Sequence, residues 1–401
     1  MSKSHRHVNK RTGALVAGAA AALVAAAVVL PHANASAERS RPPRTFSSES
    51  AARVAASLKA DLGADRTAGW YMDTATRQLV MNVLSADDAK RVEAEGAVAK
   101  VVRNSASELD AATRALSAHA AIPGTAWSVD PRTNQVAVLA DRTVTGAKLA
   151  ALTTAVEKLG GGMASVKRSP GEFRRYDGGG GQGQGGGGGT AASPLGGSAI
   201  FGGNARCSLG FNVTVQGAPA FLTAGHCGKG SATWSADQEG GRPLGTVADA
   251  RFPGSDFALV AYGDPGARPE SAVDLQDGST QQITRAAEAA VGMRVQRSGS
   301  TTGLSDGTVT GLNATVNYGN GDIVNGLIQT DVCAEPGDSG GSMFSGDAAV
   351  GLTSGGSGDC TQGGETFFQP VTKALEATGA QIGAGAGAGT GGAEGGGGGE
   401  A

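Results

Sequence analysis

After His119 the 401-residue chain has a single histidine, His226, and nowhere does it show a Cys-x-x-Cys spacing. Without a His/Cys cluster there is no zinc site to expect, and nothing calls for another metal or a cofactor. Beyond residue 37 no apolar run is long enough to span a bilayer. The C-terminal half is also short of positive charge. Residues 193–383 carry 9 Lys/Arg against 18 Asp/Glu, a balance of −9, which argues against a nucleic-acid partner.

What is present divides the chain into segments. Residues 1–37 open on Lys3, Arg6, Lys10 and Arg11 and continue in an Ala/Val/Leu run from Ala14 to Leu30. Two small-residue cleavage options follow, Ala33-Asn34-Ala35 and Ala35-Ser36-Ala37. This pattern predicts a secretory signal that is removed, and so an extracellular protein. A membrane anchor is the competing reading, because the run is about as long as a short transmembrane helix. All four cysteines, Cys207, Cys227, Cys333 and Cys360, lie in the C-terminal half. In an exported chain an even count predicts disulfides. Three pairings are open, and neighbour pairing, Cys207 with Cys227 and Cys333 with Cys360, is the simplest.

Residues 38–176 read as a small α+β segment. Helix-like stretches (Glu49–Leu62, Ala86–Val102, Ser105–His119, Thr145–Leu159) surround two strand-like units. The first runs Trp70, Met72, Asp73, Thr76, Leu79, Met81; the second, 57 residues on, runs Trp127, Val129, Asp130, Thr133, Val136, Val138. Asp-x-x-Thr between apolar alternations predicts a hairpin turn in each, hence an internal duplication. Residues 38–192 carry 20 Lys/Arg against 16 Asp/Glu, a balance opposite in sign to the C-terminal half, which suits docking of one on the other. Residues 177–195 are glycine-rich and read as a flexible linker; a second glycine tract, 384–401, reads as a disordered tail.

Residues 196–383 have a different texture. Short alternating runs are separated by Gly, Ser, Asn and Asp: Leu209–Val215, Ala220–Thr223, Ala258–Ala261, Met293–Arg297, Gly307–Val316, Ile323–Thr330 and Ala348–Leu352. One helix is expected, Pro370–Thr378. Many short strands predict an all-β barrel or sandwich.

Within this part His226 sits in Thr223-Ala224-Gly225-His226-Cys227, and 113 residues later Ser339 sits in Gly337-Asp338-Ser339-Gly340-Gly341. A serine hydroxyl needs a neighbouring base to become a nucleophile, and imidazole has the right pKa. The glycines allow a tight turn that exposes the hydroxyl and aims the Gly337 and Ser339 N–H groups at one point, an oxyanion hole. A carboxylate must orient the imidazole. Asp256 is the candidate, since it opens the apolar run Phe257-Ala258-Leu259-Val260, whereas Asp249 and Asp264 look like turn or surface residues. The order His, Asp, Ser is that of chymotrypsin-type serine hydrolases.

The strings Arg206-Cys207-Ser208-Leu209-Gly210-Phe211-Asn212-Val213, Phe221-Leu222-Thr223-Ala224-Gly225-His226-Cys227, Cys333-Ala334-Glu335-Pro336-Gly337-Asp338-Ser339-Gly340-Gly341 and Leu352-Thr353-Ser354-Gly355-Gly356-Ser357-Gly358 closely resemble the streptogrisins, secreted bacterial proteases related to α-lytic protease. Gly124-Thr125-Ala126-Trp127-Ser128-Val129-Asp130-Pro131 resembles that family's prodomain. The resemblance implies two packed six-stranded antiparallel β-barrels with the site in the cleft between them. It also implies the disulfides Cys207–Cys227 and Cys333–Cys360, and a buried arginine holding Asp338, for which Arg297 is the candidate. The pro-segment would act as folding chaperone and inhibitor, against the plainer alternative of a spacer. A non-catalytic peptide-binding homologue and an esterase are the competing functions.

In this fold Ser354-Gly355-Gly356 would form the wall of the primary specificity pocket. Gly356 leaves the mouth open, Glu335 is too close to the oxyanion loop to act as a charged base, and a family member specific for acidic residues would carry a histidine near Thr353. Preference for large apolar or aromatic residues before the scissile bond follows, with modest discrimination. The mature chain, expected to be a monomer, would begin near Leu195 or Ile200.

Overall fold

The computed structural model describes residues 42–119, 121–179 and 194–383. The signal expected at 1–37, most of the expected linker and the tail at 384–401 lie outside these residues.

The N-terminal part repeats one design twice. Helix α1 (Ser48–Leu62) precedes the hairpin β1 (Thr67–Asp73) and β2 (Gln78–Val83), then α2 (Ala86–Ala94) and β3 (Val98–Val101). The second copy is α3 (Ala106–His119), β4 (Thr125–Asp130), β5 (Gln135–Ala140), α4 (Gly146–Glu157) and β6 (Ala164–Arg168). In each copy the hairpin is antiparallel and the last strand joins it parallel, β3 on β2 and β6 on β5. Side-chain caps start α1, α2 and α3, from Ser47, Ser85 and Ser105. Ser105 and Glu108 form a reciprocal box, Ser105 N–H to Glu108 Oε2 at 2.8 Å and Glu108 N–H to Ser105 Oγ at 3.2 Å. The Asp-x-x-Thr turns close as expected: Asp73 Oδ1 accepts from Ala75 and Thr76 N–H at 2.9 Å, and Asp130 Oδ1 accepts from Arg132 N–H at 2.9 Å. The residue after each turn, Arg77 and Asn134, is left-handed at φ 56° and 57°. Leu79 and Met81 in one copy, and Val136 and Val138 in the other, face their own buried clusters.

One expectation needs correction. The helix read across Ala86–Val102 stops at Ala94, and residues 98–101 are strand β3. Gly96, at φ 77°, reverses the chain there, and tertiary pairing with β2 overrides a weak helical pattern.

The segment ends in two short strands, β7 (Arg174–Arg175) and β8 (Gly178–Gly179). Asp177–Gly179, read from composition as linker, are therefore placed by pairing.

The C-terminal part has the expected chymotrypsin-like plan. The first barrel uses β9 (Ala199–Gly202), β10 (Ala205–Ser208), β11 (Phe211–Val215), β12 (Ala218–Thr223), the one-turn helix α5 (Gly225–Gly230), β13 (Thr233–Ser235), β14 (Pro243–Arg251) and β15 (Phe257–Tyr262). Strands pair in the order β11-β12-β15-β14-β13-β9-β10. Only Leu209 and Gly210 separate β10 from β11, and their N–H groups carry the ladder on to Ser198 and Leu222, so the two run as one bent strand that closes a six-stranded ring. A connection holding β16 (Ala272–Asp274), β17 (Thr280–Gln282) and β18 (Arg285–Ala286) leads to the second barrel. There β19 (Arg294–Gly299), β20 (Gly303–Asn317), β21 (Ile323–Thr330), β22 (Ser342–Ser345), β23 (Ala348–Gly356) and β24 (Thr366–Pro370) pair as β19-β22-β23-β24-β21-β20, and β20 returns to β19. Helix α6 (Val371–Thr378) and β25 (Ala380–Gln381) follow, and β25 pairs with β11 of the first barrel. Both neighbour disulfides, Cys207–Cys227 and Cys333–Cys360, are formed.

The second repeat adds its sheet to the edge of the second barrel. β4 pairs antiparallel with β20 (Thr125 with Asn317, Ala126 with Val316, Trp127 with Thr315), so β6-β5-β4 prolongs the barrel sheet outward. An edge strand's unpaired N–H and C=O groups favour such addition. Ser128 Oγ–H donates to Gln329 Oε1 at 2.8 Å inside the seam. The first repeat touches the barrel through Met72 N–H, which donates to Val291 O at 2.8 Å.

Candidate active site

His226 lies on α5, buried between the barrels, and Asp256 sits just before β15. The Asp256 carboxylate receives His226 N–H at 2.9 Å and lies 2.9 Å (Oδ2) and 3.0 Å (Oδ1) from the ring Nδ1. The other ring nitrogen, Nε2, is 2.7 Å from Ser339 Oγ. The His226 and Asp256 side chains are both fully buried, which removes competing water from the relay. Asp249 instead bonds Arg251 at the surface, and Asp264 caps the Gly266 N–H.

Two further contacts hold Asp256, one at its carboxylate and one at its backbone N–H. Ser354 Oγ–H donates to Asp256 Oδ2 at 2.6 Å, and Tyr318 Oη lies 3.1 Å from Ser354 Oγ. Gln369 Oε1 accepts Asp256 N–H at 2.8 Å. Burial pushes the Tyr318 phenol far above its ordinary pKa, so it stays neutral and adds no charge beside Asp256. Tyr318 and Gln369 carry no local sequence signal, because they reach the site only through the closure of the second barrel.

Ser339 stands on a loop whose neighbours Gly337 and Gly340 have φ of 104° and 84°, values that favour glycine. Asp338 is buried and accepts from Thr301 N–H at 2.8 Å, Thr302 Oγ1–H at 2.7 Å and Glu335 N–H at 2.9 Å. Arg297, fully buried, places Nη1 3.4 Å from Asp338 Oδ2 and also donates to the Cys333 carbonyl at 2.6 Å. Burial pulls the guanidinium below its ordinary pKa, and Asp338 opposes that pull.

The chain itself occupies the cleft. Gly337 N–H and Ser339 N–H both donate to the carbonyl oxygen of Tyr176, the second at 3.4 Å. Tyr176 N–H donates back to Ser354 O at 3.4 Å. Upstream, Arg174 and Arg175 pair antiparallel with Gly356 and Gly355; downstream, Gly178 and Gly179 pair with Arg206 and Ala205 of β10. The Tyr176 side chain is 1% exposed. A Cβ on Gly356 would come within 2.7 Å of its hydroxyl, so glycine there makes room for the ring. The hydroxyl has no hydrogen bond of ordinary geometry, though Thr366 interacts with it, and burial raises its pKa well beyond the usual value. Glu335 faces elsewhere: its carboxylate accepts Cys360 N–H at 3.2 Å.

Leu195 and Ile200, where a mature start was expected, do not lie in this grip. Leu195 N–H donates to Ser198 Oγ, and Ile200 is buried in β9 opposite Cys207. Sequence reasoning passed over Tyr176 because Arg174-Arg175-Tyr176-Asp177 has one strand-favouring residue and no apolar alternation; its extended geometry comes from the cleft walls.

The described residues hold no cluster of His, Cys, Asp and Glu fit for a metal, and no helix among them is long and apolar enough to cross a membrane.

Comparison with known proteins agrees with this architecture. Residues 39–102 match the α-lytic protease pro N-terminal model, 104–160 the α-lytic protease prodomain and 202–378 trypsin. The two prodomain matches coincide with the two structural repeats. Streptogrisin-D of Streptomyces griseus is 50% identical over 382 residues, which span 94% of this chain and 92% of that protein. Serine protease 1 of Streptomyces fradiae is 41% identical over 377 residues, 93% and 99% of the two chains. Glutamyl endopeptidase 2 of S. griseus is 50% identical over 188 residues, 47% of this chain and 98% of that one. Near-complete alignment with streptogrisin-D, pro-region included, places this chain in the streptogrisin and α-lytic protease family of serine endopeptidases.

Proposed function

We propose that this is the precursor of a secreted endopeptidase that favours large apolar or aromatic residues before the scissile bond, with His226, Asp256 and Ser339 as its catalytic residues. Tyr176 carries the reading: its carbonyl is held by two backbone amides beside Ser339 while its ring is buried against Gly356. A charged side chain buried in the same place would need a partner, and Glu335 is engaged with Cys360.

The mechanism follows from the distances. Nε2 of His226 takes the proton of Ser339 Oγ, 2.7 Å away, as Oγ attacks the carbonyl carbon. The oxyanion that forms receives hydrogen bonds from Gly337 and Ser339 N–H, each worth roughly 10²–10³ in rate. Asp256 accepts Nδ1–H, fixes the tautomer and stabilises the imidazolium, with the Ser354 hydroxyl also bonded to its Oδ2. The imidazolium gives its proton to the leaving amine; water then attacks the acyl-enzyme with His226 again as base. Ser354, Gly355 and Gly356 hold the substrate as an added strand.

Residues 38–176 act as an intramolecular inhibitor and folding template, because the segment whose β4 prolongs the second barrel also delivers Tyr176 to the cleft. The first cut falls between Tyr176 and Asp177. The glycine tract then stays with the protease, either until trimmed or for good. Hydrolysis of anilide peptides ending in Phe, Tyr, Leu, Lys or Glu tests the specificity. Rates highest for Lys or Glu would overturn it, and the similarity to a glutamyl endopeptidase makes the Glu arm essential.

A further inference from the structure

We infer that the subsite next to the primary pocket selects a cationic residue, arginine above all, through Asp322 and Phe252. The inference rests on the reading that Arg174-Arg175-Tyr176 lies as a substrate does, so that Arg175 immediately precedes the residue at the scissile carbonyl.

Arg175 meets the protease in two ways. Its guanidinium carbon lies 5.5 Å from the Phe252 ring centroid, and its Nη1 is 3.5 Å from Asp322 Oδ2. A guanidinium over an aromatic face gains from the ring quadrupole, and the carboxylate supplies the charge partner. Among the described residues this is the ion pair that joins the two halves of the chain, despite their opposite overall charge. The other carboxylate near Arg175 is Asp177, at 3.7 Å from Nη2; it lies beyond the scissile bond and leaves with the product.

The pair of recognition groups is built, not incidental. Asp322 closes the β20–β21 hairpin, where Tyr318 N–H donates to Asp322 O at 3.0 Å and Asp322 N–H to Gly319 O at 2.8 Å. Gly319, Asn320 and Gly321 are all left-handed, with φ of 91°, 54° and 88°, which fixes the turn. The loop bearing Phe252 is tied to the same hairpin: Gly254 N–H donates to Ile323 O at 2.8 Å, and Asn325 N–H to Gly254 O at 2.9 Å. Phe252 also stands edge-on to the His226 ring, with centroids 5.6 Å apart. A residue held between Phe252 and Asp322 is thus registered against the catalytic imidazole. The Arg175 and Asp322 side chains are 35% and 25% exposed, so solvent weakens the pair and a moderate preference is expected.

The test uses the processed protein and its Asp322→Asn variant with four anilide peptides. All end in Tyr and differ in the preceding residue: Arg, Lys, citrulline (the neutral isostere of arginine) or Leu. The readout is the ratio of kcat/KM values within each enzyme, which cancels any change in folded fraction. Wild type should favour Arg over citrulline by about fivefold, and Asp322→Asn should bring that ratio to twofold or less. The anilides lack Asp177, so the change in this ratio on Asp322→Asn isolates Asp322. Brisk hydrolysis of all four peptides without an Arg preference would overturn this inference and leave the aromatic reading standing. A preference unchanged by Asp322→Asn would also overturn it. Failure to cleave any Tyr peptide, with cleavage after another residue, would sink the underlying reading instead.

Discussion

If Tyr176 is the residue whose carbonyl the enzyme holds, then changing its side chain must change the first cut. Its ring is 1% exposed, and a buried aromatic side chain contributes roughly 150–250 Å² of removed surface. At about 25 cal/mol per Å² that is roughly 4–6 kcal/mol before the reference state is discounted. Truncation by Tyr176→Ala should then weaken transition-state binding at this bond by about 3 kcal/mol or more, a slowing of at least ~100-fold. Tyr176→Phe keeps the ring and removes a hydroxyl that lacks a hydrogen bond of ordinary geometry, so cleavage should be as fast or several-fold faster. Tyr176→Asp asks the pocket to bury a carboxylate and should stop the cut at this bond. Mass spectrometry of the secreted product over a time course reads both the bond and the rate. Wild type should first yield a chain beginning at Asp177. A first product beginning after Leu195, or equal rates in the Ala and Phe variants, would refute the reasoning.

Ser339→Ala should leave the precursor as one chain on a denaturing gel, since the nucleophile accounts for roughly 10⁶ in rate. Asp256→Asn should lower kcat for a Phe anilide by about 10⁴, because the amide favours the wrong imidazole tautomer; a loss below tenfold would remove Asp256 from its role. Ser354→Ala deletes the 2.6 Å bond to Asp256 Oδ2, a charge-assisted contact worth about 1.5–3 kcal/mol, and should lower kcat at least tenfold while KM for short peptides changes little. Removing the disulfides by paired Cys→Ser substitution opens loops with sequence separations of 20 and 27; loop entropy gives losses of about 3.3 and 3.6 kcal/mol in denaturant unfolding.

The residues proposed as catalytic were legible because each sits in a short string whose residue types have a chemical reason to be together. Glycines around Ser339, cysteine beside His226 and the apolar run after Asp256 are all local features. The repeats were legible for the same reason: Asp73 and Asp130 organise their turns with neighbours two and three residues away. What escaped depends on distant partners. Residues 98–101 become strand because β2 offers an edge. Tyr318 and Gln369 reach Asp256 across the second barrel, from 62 and 113 residues away in sequence. Asp177–Gly179 look like linker by composition and Arg174–Tyr176 carry no alternating pattern, yet Arg174, Arg175, Gly178 and Gly179 take extended form because β23 and β10 offer unpaired backbone.

The same pairing of Arg174–Gly179 with the cleft walls helps to hold the precursor together. A flexible tail of two arginines, a tyrosine and glycines would pay about 1–2 kcal/mol per residue in backbone entropy to lie in the cleft. The β4–β20 ladder anchors the segment well before Arg174, and Ser169 Oγ, bonded to Ser357 at 2.6 Å and to Glu365 at 2.7 Å, fixes the chain five residues before Arg174. Docking of the repeats and filling of the cleft are then one event, in which the anchors raise the tail's effective concentration at the site. Cutting between Tyr176 and Asp177 breaks that covalent continuity only downstream of the anchors. The cleaved pro-segment should therefore remain bound through β4 and Tyr176 as a product, and release would need its own unfolding or digestion. A cut pro-segment that leaves freely, at a rate unaffected by Ser169→Ala or by disruption of the β4–β20 pairing, would show that the anchors do not govern inhibition.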